Sequence, residues 1–131
     1  MLGSESEEVH SIFPNCNFSK GEITEWGADG LFHQNWDSPK CGIEFDMVSD
    51  TNKSKQRIAS ITVSSPSTLK TDKGISIGSK VSQVESAYQA YVNSDESTPN
   101  RVIVVGSIYG GIQFSLENDT VSSIFVGASA E

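Results

Sequence analysis

The chain is poor in the residues on which several common functions depend. Its 131 residues include only two cysteines, two histidines and 9 lysines plus arginines, against 17 aspartates plus glutamates, for a net charge of −8. Nucleic acids and anionic membranes are bound through clustered lysine and arginine, so this balance argues against either as the main partner. No apolar run approaches the roughly 20 residues of a membrane-spanning helix. The length suits a single domain, 1–131, in which residues 1–10 are either a tag remnant or a frayed terminus.

The two cysteines, Cys16 and Cys41, predict one disulfide formed in an oxidising compartment. The alternative is two unrelated buried thiols, but an even count in a small acidic domain favours the bridge. Closing a loop of about 25 residues would stabilise the fold by roughly 3 kcal/mol in the chain-entropy model. We therefore expect a periplasmic or otherwise exported domain whose leader has been removed.

Two segments with the same pattern predict two related β-hairpins. Residues 42–63 hold two strands around a polar turn, and residues 111–126 repeat this design with a shorter turn. The first strand of each begins Gly-Ile-x-Phe, at Gly42 and Gly111, and the second carries Ser-Ile-x-Val. A duplication and a chance likeness between ordinary hairpins both fit this pattern, and we favour the duplication.

One helix is predicted between the hairpins. Ser79 is a suitable N-cap, and apolar residues follow it at three- and four-residue spacing as far as Tyr91, which indicates a helix at about 80–92. A short N-terminal helix before Pro14 is a further expectation.

The remaining strands complete the predicted fold class. We expect strands near 22–26 and 31–34, and one at 101–105 that is buried on both faces because it is apolar without a break. With the hairpins these make about seven strands. The predicted fold is therefore α+β and β-rich, a mainly antiparallel sheet or sandwich with one firm helix.

The sequence carries no complete motif for catalysis or metal binding. It has neither a Gly-x-Ser-x-Gly elbow nor a His-Glu-x-x-His pair. His33 and Cys41 would suit a nucleophile–base dyad, but a disulfide with a packed surface histidine fits the composition better. The spacing of cysteines and histidines is unlike that of zinc sites, and the acidic turns lack the EF-hand pattern. We therefore predict no catalytic residues, no cofactor and no metal.

An uncharged, glycine-rich loop between two apolar strands is the segment that remains unexplained. Its residues are Gly106, Ser107, Ile108, Tyr109 and Gly110. Apolar and aromatic side chains on a loop held by rigid strands are typical anchors for a protein partner. Alternatively, the two large side chains fold back on the core or continue a strand. The segment 26–36 is a second candidate surface because it is rich in aromatic residues, although tryptophans are usually found in the core.

Three segments, 71–78, 109–114 and 121–124, form with the predicted helix a β-α-β-β series. This series resembles small exported bacterial inhibitor and immunity proteins. They include periplasmic lysozyme inhibitors and the immunity proteins against type VI secreted peptidoglycan amidases. Some of them push a loop containing serine, glycine and tyrosine into the catalytic cleft of a wall-degrading enzyme. The resemblance implies a plug at Gly106, Ser107, Ile108 and Tyr109, with serine and glycine in the reverse order to the lysozyme-inhibitor loop.

The expected function is that of a non-catalytic periplasmic binding protein that inhibits a peptidoglycan-degrading enzyme by inserting this loop into its active site. The partner would be a cell-wall hydrolase or toxin, whose basic charge would suit an acidic inhibitor. Two alternatives stay open. One is an envelope lipoprotein or assembly factor, and the other is a carbohydrate-binding module with Trp26 and Trp36 as stacking platforms.

Overall fold

The computed structural model describes residues 9, 11, 13–27, 29–51, 55–71, 73–94, 97–98, 101–107 and 110–127. Within them lie eight β-strands and one α-helix whose two ends are described, α1 (Val81–Ala87). The strands are β1 (Ser19–Lys20), β2 (Thr24–Glu25), β3 (Phe32–Ser38), β4 (Ile43–Ser49), β5 (Arg57–Ser64), β6 (Val102–Ser107), β7 (Gly110–Glu117) and β8 (Thr120–Gly127). The predicted β-rich class is confirmed.

All the strands belong to one antiparallel sheet. Its order is β1-β3-β4-β5-β8-β7-β6, and β2 pairs with β3 on the same edge as β1. The two predicted hairpins are β4–β5 and β7–β8. Each is the end of a three-stranded meander, β3–β4–β5 or β6–β7–β8, and the two meanders meet where β5 pairs with β8. The architecture is therefore duplicated about the centre of an open sheet, and the strands do not fold over into a sandwich.

The two faces of the sheet differ in chemistry because residues alternate in side along each strand. One face carries the apolar side chains, which form two buried clusters. The first cluster surrounds Trp36 and Phe45 and includes Val9 and Phe13 of the N-terminal segment. The second surrounds Phe114 and is covered by α1. The opposite face carries mainly polar side chains.

The helix begins one residue later and ends earlier than predicted. Its N-cap is Lys80, whose N–H donates to Gln83 Oε1 at 2.8 Å, while the Ser79 hydroxyl accepts from the Ser76 N–H at 3.0 Å. At the other end Tyr88 leaves the helical conformation. The chain then bridges to β6, where the Asn93 N–H donates to the Val104 carbonyl at 2.7 Å. Because of this pairing, the residues predicted to form the last turn of the helix are not helical. Tyr91, which was expected on the apolar side of the helix, is 61% exposed.

Strand β6 lies at an edge of the sheet and confirms only the middle of the strand predicted at 101–105 as buried on both faces, because Val102 is half-buried and Arg101 is exposed outside the strand. Its consecutive residues Ile103, Val104 and Val105 are all buried. Val92 and Thr98 bridge to this strand, so the segment after α1 covers an edge that would otherwise face water. At the opposite edge, only the two residues of β2 form a strand within the predicted range 22–26. In the predicted N-terminal helix, the described residues Val9 and Ser11 are helical.

Two glycines with nearly the same backbone conformation give a matched test of this packing. Gly42 has φ +67° and Gly30 φ +69°, in the left-handed region that costs an L-residue about 1–2 kcal/mol. A Cβ atom at Gly42 would overlap the Ser64 carbonyl oxygen and lie 2.8 Å from the Ser67 nitrogen. At Gly30 no described heavy atom outside Gly30 and its two chain neighbours lies within 4 Å of such a Cβ atom.

We therefore expect Gly30→Ala to lower the free energy of unfolding by about 1 kcal/mol. Gly42→Ala should lower it by about 3 kcal/mol or more, because overpacking against backbone atoms adds to the conformational cost. Urea denaturation of the two variants checks this. Equal losses would show that the turn at Gly42 is not packed as described.

Candidate functional site

The loop predicted to bind a partner is the connection of a β-hairpin, and its flanking residues are strand residues. Gly106 and Ser107 end β6, Gly110 begins β7, and Ser107 pairs with Gly110. Ile108 and Tyr109 lie outside the described residues. The hairpin is held from the side, because the Gly106 N–H donates to the Tyr91 carbonyl at 3.0 Å and Asn93 Nδ2 donates to the Gly106 carbonyl at 3.0 Å.

The predicted disulfide is confirmed. Cys16 and Cys41 are bonded, with their Cα atoms 6.0 Å apart, and the bridge packs on the cluster around Trp36. It ties the N-terminal segment to the turn between β3 and β4. The alternative Cys41–His33 dyad is wrong, because a cysteine held in a disulfide has no thiolate to act as a nucleophile.

The polar face of the sheet contains a depression that the sequence did not reveal. It has a volume of about 510 Å³ and is formed by the segment 22–26 together with β3, β4, β5 and β8. Its described lining contains three carboxylates, from Glu22, Glu44 and Asp46, and no lysine or arginine. We call this region the polar trough.

His33 lies at one end of the polar trough and is held by two carboxylates. Its Nδ1 atom is 2.9 Å from Asp46 Oδ1, and its Nε2 atom is 2.7 Å from Asp29 Oδ2. A neutral imidazole has one N–H, so it can donate to only one of these carboxylates, whereas the imidazolium donates to both. Burial lowers the pKa of His33, which is 5% exposed, but the hydrogen bonds and charges of Asp46 and Asp29 outweigh it and raise that pKa above its usual range.

A short loop closes over this histidine. The indole of Trp26 stacks on the imidazole with ring centroids 3.5 Å apart and planes within 7° of parallel. The backbone N–H of Trp26 donates to the Leu31 carbonyl at 2.9 Å. The backbone N–H of Leu31 donates to Asp29 Oδ1 at 2.9 Å. The hydrogen bond from Leu31 and the contact with His33 lower the pKa of the Asp29 carboxyl. His33 therefore holds Trp26 through a stacked ring and Asp29 through a hydrogen bond, which becomes an ion pair when the imidazole is protonated.

The two tryptophans of the second candidate surface have opposite environments. Trp26 is 43% exposed beside the polar trough, whereas Trp36 is 1% exposed in the core, where its indole N–H donates to Gln34 Oε1. A carbohydrate module that uses both rings as platforms is therefore excluded. The four-residue spacing of Asp29 and His33 was visible in the sequence, but the contact with Asp46 depends on the pairing of β3 with β4.

The arrangement around His33 suits binding and positioning better than proton transfer. An imidazolium that donates both N–H groups has no lone pair with which to accept a proton or bind a metal. Among the described side chains, no group of three or more His, Cys, Asp and Glu is arranged to hold a metal ion. In the same part of the chain, no helix is long and apolar enough to cross a membrane.

Comparison with known proteins finds no family model, curated protein or solved structure that matches this chain. The resemblance to inhibitor and immunity proteins stays a prediction.

The geometry around His33 predicts a pH dependence of stability. A pKa raised on folding gives stabilisation that is complete below the unfolded value of about 6.5 and is lost as pH rises through the folded value. The lowered pKa of Asp29 gives stabilisation above its unfolded value of about 3.9, so both contributions coexist between these limits. We expect the wild-type protein to lose more stability than His33→Gln between about pH 6 and pH 9.

Urea denaturation of both proteins across this range measures the difference. Titration of the imidazole Cε1 proton by NMR locates the pKa directly, with a fragment of residues 28–38 as the reference for the unfolded chain. A pKa of His33 below that of the fragment would contradict the two-carboxylate geometry.

Proposed function

We propose that this chain is a non-catalytic, exported binding domain that inhibits a peptidoglycan-degrading enzyme. The tip of the β6–β7 hairpin enters the active site of that enzyme and blocks it. The observation that carries the proposal is the construction of this hairpin, whose strands pair as far as Ser107 and Gly110. Only Ile108 and Tyr109 connect these two residues.

The base of the hairpin is fixed by contacts outside its own ladder. Phe114 of β7 and Ile103 of β6 are cross-strand partners buried under α1, and the backbone of Gly106 is hydrogen-bonded to the segment after the helix. Strands held in this way lose little conformational entropy on binding, so more of the contact energy remains as affinity.

Charge and covalent structure are consistent with the same role. The net charge of −8 would speed association with a basic wall hydrolase through long-range attraction. The Cys16–Cys41 disulfide is compatible with an oxidising compartment, where such enzymes act.

The test is inhibition of a panel of basic lysozymes and secreted amidases, measured as the clearing of a peptidoglycan suspension. We expect the wild-type domain to inhibit at least one enzyme of the panel. Changing Ser107 and Tyr109 together to alanine should raise its inhibition constant by roughly 30-fold, since truncating a hot spot costs about 2 kcal/mol or more.

The control changes Thr68 and Leu69 together to alanine, because these exposed side chains lie outside both the hairpin and the segment that holds it. This variant should inhibit like the wild-type protein. If no enzyme of the panel is inhibited, the proposed function is wrong. If both variants inhibit normally, the function stands but the hairpin tip is not its site.

A further inference from the structure

We propose that the polar trough is a docking surface for a loop of a protein partner that presents lysine or arginine side chains. This inference does not depend on the partner's being a wall hydrolase. It concerns a different face of the molecule from the hairpin tip.

The two faces of the sheet are covered to different extents. The apolar face is buried under the N-terminal segment on one half and under α1 on the other. On the polar face, the described chain covers the end near His33, where Trp26 and Asp29 contact the imidazole, and the β6 edge, where Val104 is buried beneath the segment after α1. Outside these two covered parts the side chains of Asn35, Glu44 and Asp46 remain partly or fully exposed.

The negative charge of the trough is complementary to the positive charge of lysine and arginine side chains. Three carboxylates line the trough. One of them, Asp46, is paired with His33, and His33 also contacts the carboxylate of Asp29. Glu22 and Glu44 are exposed, and the described lining offers them no lysine or arginine. A partner that brings a cation to this surface therefore meets negative potential that the trough does not neutralise itself.

The exposed ring of Trp26 offers a surface on which a cation can stack. One face of the indole is occupied by His33, so its 43% exposure belongs to the other face and the ring edges. Tryptophan is the best partner for a cation placed over a ring face, and a guanidinium stacked there can still donate to a carboxylate. Trp26 and Glu22 line the same trough, so the platform and the acceptor lie together.

The size and lining of the trough favour a loop of a protein over a free ion or a neutral sugar. About 510 Å³ is the scale of a site that takes several side-chain-sized groups. Carboxylates accept hydrogen bonds without donating any, which suits ammonium and guanidinium groups better than hydroxyls.

The experiment uses the full chain, labelled with ¹⁵N, and a synthetic peptide rich in lysine and arginine. A second peptide, in which glutamine replaces each basic residue, is the probe control. We expect the basic peptide to shift the Trp26 indole N–H and the backbone signals of β3 and β4. Signals of α1 should stay in place, because the helix lies on the opposite face.

Two variants with the same change of charge separate the trough from the overall field of the protein. Glu22→Gln with Glu44→Gln removes the exposed carboxylates of the trough, and Glu85→Gln with Glu117→Gln removes two exposed carboxylates elsewhere. Two partly desolvated charges contribute together about 1.4 kcal/mol, so the trough variant should bind the basic peptide about tenfold more weakly. The control variant should change the dissociation constant by less than about twofold, since screening limits the effect of distant charges.

Trp26→Ala is a further variant that should weaken binding, and its amide spectrum shows whether the sheet is retained. Equal weakening by the two charge variants would overturn the proposal, because binding would then follow net charge alone. Equal binding of both peptides would also overturn it. A response of Trp26 to a neutral oligosaccharide, without a response to the basic peptide, would assign the trough to sugar binding instead.

Discussion

Burial of one face of an eight-stranded sheet is the constraint on which the rest of this structure depends. The apolar residues of the strands fall on one side because side chains alternate, and this side must be covered. Phe45, Met47, Val84 and Phe114 are wholly buried in two clusters on that face. On the other face, His33 and Val104 are buried at the two sides of the sheet, and the polar side chains between them, such as Asn35, Glu44 and Thr62, are at least partly exposed and available for recognition.

The apolar face is covered by different elements on the two halves of the sheet. On the second half, Val84 of α1 and the C-cap residue Tyr88 pack on the meander β6–β7–β8. A helix of seven residues has little stability alone, so its packing on the sheet holds it in place. On the first half, an N-terminal segment carrying Val9 and Phe13 covers β3–β4–β5, and the Cys16–Cys41 disulfide fastens it. The disulfide holds this segment on the sheet, as the packing of α1 holds the helix on the other half.

Local patterns predicted the strands well, whereas contacts distant in sequence could not be predicted. The alternation in 42–63 and 111–126 led directly to the two hairpins. The end of α1 was missed because the spacing up to Tyr91 is helical, while the chain is drawn into pairing with β6. Asp46 is 13 residues from His33, and their contact follows from strand register that no motif encodes. For the same reason the sequence pointed to the segment 26–36 as a candidate surface but not to Glu44 and Asp46, which complete the polar trough with it.

The central claim is that one face of the sheet supports the fold while the other is open for binding. The most direct measurement is the solvent accessibility of side chains in the free protein, from NMR relaxation by a neutral soluble gadolinium chelate. The account predicts strong relaxation of Asn35, Thr62 and Trp26 and little relaxation of Phe45 and Phe114. Equal protection of both groups would show that the polar face is covered, and the account of this protein as a two-faced binding domain would fail.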